Sequence, residues 1–276
     1  MYNEKNVNMK ETEVIPDKHL SKVYLCKSIT EAITTERNNY SISKFRRVKN
    51  NRCINISTGE IIEFKIEKTL EKQQTHFKKA TNDLRRLINN NFVGNHSEVF
   101  LTLTYKEKMT NYAKATLDFS SFWKKLKKKY TTCEYIKIIE PQGNGSFHLH
   151  VLIKDISNAC LFFKLDELKK LWCYGNITIK RIHNSSNFGA YFCTKFTNNK
   201  DKSKTSIKGN RISFYPDNFK LYTHSKGIKK PIPIIMEHGE FLKLTKDAEL
   251  CYSYTNSIVL NGEEINSITF EQYKNK

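Results

Sequence analysis

Residues 134–153 constrain this chain more than any other stretch: EYIKIIE, then PQGNG, then SFHLHVLI. Both flanks carry strand-type residues, and the Pro, Gly and Asn cluster between them reverses the chain. Strands this close in sequence pair antiparallel, because a parallel pair needs a crossover of a dozen or more residues. A period of two places Phe147, Leu149, Val151 and Ile153 on one face of the second strand, with His148 and His150 on the other. In the simplest register, Glu140 pairs with residue 146 across a five-residue turn that begins at Pro141. Glu140 then shares the histidine face, one diagonal step from His148.

The flanking segments extend this hairpin into a domain. EVFLTLTY (98–105) alternates as a strand, with Leu101 and Leu103 on one side and Phe100, Thr102 and Thr104 on the other. A helix over 112–130 carries Leu117, Phe119, Phe122, Trp123, Leu126 and Tyr130 at helical spacing, with KKLKKK (124–129) on its outer side. A short helix (165–172), a strand (176–182) and a last helix (187–198) follow. The order β, α, β, β, α, β, α predicts an α+β fold: an antiparallel central sheet with flanking helices, in outline a split-βαβ, ferredoxin-like or RRM-like unit.

Three segments are expected. Residues 1–51 read as a weakly structured basic arm, ending in a run that includes Arg46 and Arg47. Residues 52–199 form the main domain, opened by a hairpin (RCINI, STG, EIIEFKI) and a helix over 68–91. Residues 200–276 form a basic connector and a strand-rich extension.

Charge narrows the partners. Lys and Arg total 47 against 28 Asp and Glu, a net +19, so a polyanion is the expected partner. Lys124, Lys125, Lys128, Lys226, Lys229, Lys230, Arg46 and Arg47 are the candidate DNA-binding residues. Seven scattered cysteines without a CxxC, no signal-type start and no long apolar run predict a cytoplasmic protein without disulfides or membrane contact. No GxxxxGK[ST] is present, so no helicase or ATPase activity is expected.

Two imidazoles and a carboxylate on one patch, His148, His150 and Glu140, form a three-ligand set for a divalent ion, leaving positions for water and a phosphate oxygen. Mg2+ or Mn2+ fits such ligation, with histidine tilting the preference toward Mn2+. On the last helix, Tyr191 and Lys195 stand at i, i+4 and share a stripe beside Phe188, Phe192 and Phe196. A phenol is a weak nucleophile at neutral pH, but a nearby cation favours the phenolate, whose attack on a phosphodiester gives a phosphotyrosine. Lys195 would balance charge on the five-coordinate phosphorus.

Three motifs in order, FLTLTY (100–105), FHLHVLI (147–153) and GAYFCTKF (189–196), resemble the HUH endonucleases. More narrowly, they resemble the rolling-circle replication initiators of Gram-positive plasmids, phages and integrated elements. STGEIIEF (57–64), LRRLINNNF (84–92) and SKGIKKP (225–231) extend the resemblance over about 57–232. It implies a site-specific, metal-dependent nickase acting on single-stranded or hairpin origin DNA. Tyr191 is its nucleophile, Lys195 assists, and His148, His150 and Glu140 are its metal ligands. The nick frees a 3′-OH for a host polymerase, with a host helicase unwinding the strand. Two departures stand out. Lys195-Phe196 replaces a frequent Lys-Tyr, favouring a single-tyrosine scheme, and Ser225-Lys226-Gly227 replaces Ser-Arg-Gly, keeping charge without the bidentate fork.

Two other readings compete. A single-tyrosine transposase of the same superfamily would lack STGEIIEF and SKGIKKP. A non-catalytic RRM-like binding module would need aromatic residues on the open sheet face, where these strands offer Glu140, His148 and His150 instead.

Overall fold

Alternation in the central strands decides which side chains face which helix layer. The computed structural model describes residues 15–37, 45–48, 52–63, 70–182, 187–197, 209–217, 219–260 and 263–275. The chain opens with strands β1 (Leu20–Leu25) and β2 (Ile29–Thr35), then β3 (Phe45–Val48), β4 (Arg52–Asn55) and β5 (Ile61–Glu63). Helix α1 (Leu70–Asn91) leads into β6 (Glu98–Leu103), α2 (Tyr112–Lys129), β7 (Cys133–Pro141) and β8 (Phe147–Asp155). Next come α3 (Leu165–Leu171), β9 (Ile177–Arg181), α4 (Phe188–Thr197) and a 3-10 turn (Gly209–Phe214). The chain closes with β10 (Tyr222–His224), β11 (Ile234–Glu237), α5 (His238–Leu244), β12 (Glu249–Leu260) and β13 (Glu263–Lys274).

The central sheet has the order β10-β7-β8-β6-β9, antiparallel throughout. Leu101, Leu103, Leu149, Val151 and Ile153 point to one face, where α2 buries Phe119, Phe122 and Leu126 and α3 buries Leu168. Ile136, Ile138 and Leu152 point to the other, against Leu84, Leu87 and Ile88 of α1 and Phe192 and Cys193 of α4. Each fully buried aliphatic or aromatic side chain contributes about 1.5–3 kcal/mol, so the two apolar layers fix the sheet between its helices. The expected α+β order thus holds from β6 to α4. Leu117, expected on the buried stripe of α2, is instead 69% exposed. At 100° per residue it lies nearly opposite Phe119 and Leu126.

The hairpin register differs from the expected one by two residues. Glu140 pairs directly with His148, and Ile138 with His150. The turn is shorter because Gly145 adopts φ +81° and its N–H donates to the Gln142 carbonyl at 2.9 Å. Gln142 N–H donates to the Ser146 carbonyl at 2.8 Å, closing a three-residue loop. Pro141 does not stop β7 but ends it, paired with Phe147 beyond the last residue that β10 covers. A shift of two preserves parity, so Glu140 stays on the histidine face.

A second sheet, β11-β1-β2-β13-β12, joins the two ends of the described chain. Residues 20–35, expected within a weakly structured arm, are therefore two strands. Their partners lie far along the sequence, Thr35 facing Ile268 and Ile29 facing Lys274, so no local turn signals them. Of that arm, residues 1–14, 38–44 and 49–51 lie outside the described residues. Glu31 ties this sheet to α1, accepting from Arg86 Nε at 2.8 Å and pairing with Arg85 Nη1. β10, in the segment expected as connector, completes the central sheet.

Candidate metal centre

Parity and register bring three of the predicted residues together. His148 Nε2 lies 2.9 Å and His150 Nε2 2.8 Å from the same Glu140 oxygen, Oε2. The three potential ligand atoms all lie within 4.8 Å of one another. Burial by itself raises the Glu140 carboxyl, but hydrogen bonds from both histidines outweigh it and hold its pKa at about 2. The carboxylate is therefore ionised throughout the physiological range.

Each imidazole is steered from its far side. Gln142 Nε2 lies 2.9 Å from His148 Nδ1, and Thr102 Oγ1 lies 3.3 Å from His150 Nδ1. Phe100 stacks on His150 with ring centroids 5.4 Å apart. This donor set fits a divalent cation: two imidazole nitrogens and one anionic oxygen converge, and each ring's other nitrogen has a side-chain partner. With the cation on Nε2, the ring proton moves to Nδ1, where Thr102 Oγ1 and the Gln142 carbonyl, after an amide flip, are acceptors.

Helix α4 lies over the same sheet face. Gly189 makes this approach possible: its N–H donates to Asn89 Oδ1 at 2.9 Å, and a Cβ there would collide with Asn89 Oδ1 and the Arg85 carbonyl of α1. Phe192 is buried, edge-on to Phe100 at 5.4 Å and 6.0 Å from the His150 ring. Tyr191, the preceding residue, and Lys195 sit on this helix, while their side chains lie outside the described residues.

The predicted basic residues divide. Lys124, Lys125 and Lys128 are exposed on α2, which covers the opposite face of the sheet, so the fold does not bring them to the histidines. Lys226, Lys229 and Lys230 are exposed on the segment that follows β10. Ser225 pins that segment to β7, its N–H donating to the Tyr135 carbonyl at 3.0 Å, and Gly227 N–H donates to Glu134 Oε2 at 3.0 Å. Arg46 is exposed on β3 of the three-stranded β3-β4-β5 sheet, and the Arg47 side chain lies outside the described residues.

Sequence reasoning missed Gln142, Thr102 and Arg211. Thr102 had the right parity, and its role follows from pairing with His150 across β6 and β8. Gln142 was read as part of the turn. Arg211 carries no motif, yet its Nη1 lies 3.6 Å from Glu140 Oε1 and 3.5 Å from the Pro141 carbonyl.

Residues 98–200 match the replication-associated protein ORF2 family. No curated protein matches the chain. Among solved structures, the N-terminal nuclease domain of non-structural protein 1 from minute virus of mice is 11% identical. That match covers 83% of this chain and 77% of that one at a TM-score of 0.18. A score that low leaves the fold to be read from this chain's own strands. No helix among the described residues is long and apolar enough to cross a membrane. The span from β6 through α4 thus carries a replication-associated domain of the ORF2 family, which fits the rolling-circle Rep protein that the three ordered motifs resemble.

Proposed function

We propose that this chain is a site-specific nickase and strand transferase that opens a replication origin by tyrosine attack and starts rolling-circle replication. The observation that carries this reading is the convergence of Glu140, His148 and His150 on the sheet face covered by the tyrosine-bearing helix, with Phe192 packed between His150 and α4. Glu140, His148 and His150 would hold Mg2+ or Mn2+. Such an ion supplies a Lewis acid for the non-bridging oxygens of the scissile phosphate.

The protein's own groups do the rest. Tyr191 Oη attacks phosphorus as its proton leaves; the P–O3′ bond breaks, and the 3′ oxygen takes up a proton. The products are a 5′-phosphotyrosine and a free 3′-OH. Lys195, one turn along α4, balances charge as it accumulates on phosphorus. Because one phosphodiester is exchanged for another, the reverse reaction reseals the strand without ATP. A duplex does not present its backbone to such a centre, so the substrate is single-stranded or hairpin-extruded DNA. Lys226, Lys229 and Lys230, exposed beyond β10, are assigned to its phosphates. A host helicase and polymerase complete the process.

The test is a suicide oligonucleotide spanning the origin. Wild-type protein with Mn2+ is expected to form a gel-shifted covalent adduct, and EDTA or Tyr191→Phe to abolish it. Adduct formation by Tyr191→Phe at wild-type yield removes Tyr191 from its role, and adduct formation in EDTA removes the metal.

A further inference from the structure

The donors of Arg211 are poorly used. Its Nη1 makes two long contacts, 3.6 Å to Glu140 Oε1 and 3.5 Å to the Pro141 carbonyl, and its Nε is buried without a hydrogen-bond partner among the described residues. The side chain is 22% exposed, so one edge of the guanidinium reaches solvent beside the metal cluster. Geometry also divides the Glu140 carboxylate: both histidines address Oε2, and Arg211 addresses Oε1. A divalent cation held with Oε2 would share that single carboxylate with the guanidinium. The filled centre then carries two positive charges in excess, and the two cations repel each other at close range. An anion between them removes the conflict.

We propose that Arg211 is a phosphate-binding residue of this centre, gripping the DNA phosphate that the ion polarises and making ion and phosphate bind cooperatively. The inference rests on the metal centre proposed above. It concerns a residue outside the segment that matches the replication-associated family, residues 98–200. A planar guanidinium with several donors open suits a phosphate's paired oxygens. Without a phosphate, the same charge opposes the ion. Arg211 therefore favours an ion that is bound with a phosphate and disfavours one that is bound alone. Coupling of this kind is reciprocal, so the ion tightens phosphate binding by the same factor.

The experiment is a Mn2+ titration of the full chain, followed by electron paramagnetic resonance, with and without thymidine 3′,5′-bisphosphate as a probe that carries no scissile diester. In the wild type, the probe is expected to tighten Mn2+ binding roughly tenfold. In Arg211→Gln, Mn2+ alone should bind roughly tenfold more tightly than in wild type, and the effect of the probe should fall below about twofold. Arg211→Lys should keep wild-type affinity for Mn2+ alone while losing most of the coupling, because it retains charge without the fork. Arg211→Gln with wild-type Mn2+ affinity and undiminished coupling overturns the proposal and leaves the metal centre standing. Weaker Mn2+ binding in both variants, with a lowered melting temperature, also overturns it, by assigning Arg211 to holding the hairpin in place. A wild-type chain that binds no Mn2+ overturns the metal centre and this inference together.

Discussion

Replacing Gly189 by alanine tests how α4 is held over the site. An ideal Cβ at residue 189 lies 2.5 Å from the Arg85 carbonyl oxygen and in still closer conflict with Asn89 Oδ1, whereas ordinary contact begins near 3.4 Å. Arg85 contributes a backbone atom of α1 and cannot swing aside. Asn89 Oδ1 also accepts the Gly189 N–H at 2.9 Å, so moving it gives up a hydrogen bond. Relief therefore requires α4 to retreat by about 1 Å, at an overpacking cost of roughly 1–3 kcal/mol. The backbone of residue 191 moves with the helix. A misplacement of ~1 Å at a reacting centre lowers the rate by roughly 100-fold. Glu140, His148 and His150 lie on β7 and β8, so Mn2+ affinity should stay within about twofold of wild type. The assay is single-turnover adduct formation on the suicide oligonucleotide at saturating Mn2+, alongside a Mn2+ titration and a thermal melt. Wild-type rates in Gly189→Ala would show that the seat on α1 does not govern the chemistry. A parallel fall in Mn2+ affinity would show that the damage reaches the sheet.

Two further outcomes follow from single buried groups. Lys137 is 3% exposed beneath α2, its Nζ 4.9 Å from the centre of the Phe119 ring, and burial pushes its pKa down to about 8. An unfolded chain keeps that proton up to about pH 10.4, so stability rises with pH between those values and the full penalty applies below the lower one. Lys137→Met should therefore stabilise the fold by roughly 2 kcal/mol at pH 7, net of the lost cation–π contact, with the gain vanishing near pH 10.5. Urea midpoints at pH 7 and pH 10 check this, and a variant less stable than wild type at pH 7 contradicts it. Gln142→Leu removes the side chain that steers His148 and should weaken Mn2+ binding by roughly 10-fold or more, with little change in melting temperature. An unchanged Mn2+ titration would show that Gln142 does not orient the ring.

The central sheet was legible because its alternation is strict. Leu101 and Leu103 separate from Phe100 and Thr102, and Leu149 and Val151 from His148 and His150, as period two requires. Parity also placed Glu140 beside the histidines, although the positive φ of Gly145 shortened the loop and moved its pairing from residue 146 to His148. Side-chain periodicity does not say which face of a sheet a helix covers. The lysines of α2 accordingly looked like candidates near the site, and the fold puts them behind it. β1 and β2 were hidden for a different reason: their register comes from β13, at the other end of the chain, and no neighbouring turn announces them. Arg211 reaches the site through tertiary packing of the 3-10 turn against the hairpin, a contact with no periodic or motif signal.

Peptide mapping of the covalent protein–DNA adduct tests the central claim most directly. The chain is incubated with Mn2+ and a suicide oligonucleotide, digested with protease and nuclease, and analysed by mass spectrometry. One nucleotide-bearing peptide is predicted, spanning the α4 residues, with the 5′-phosphate on the Tyr191 oxygen and no such species after chelation. A nucleotide on any other side chain, or the same yield without a divalent ion, would contradict the account.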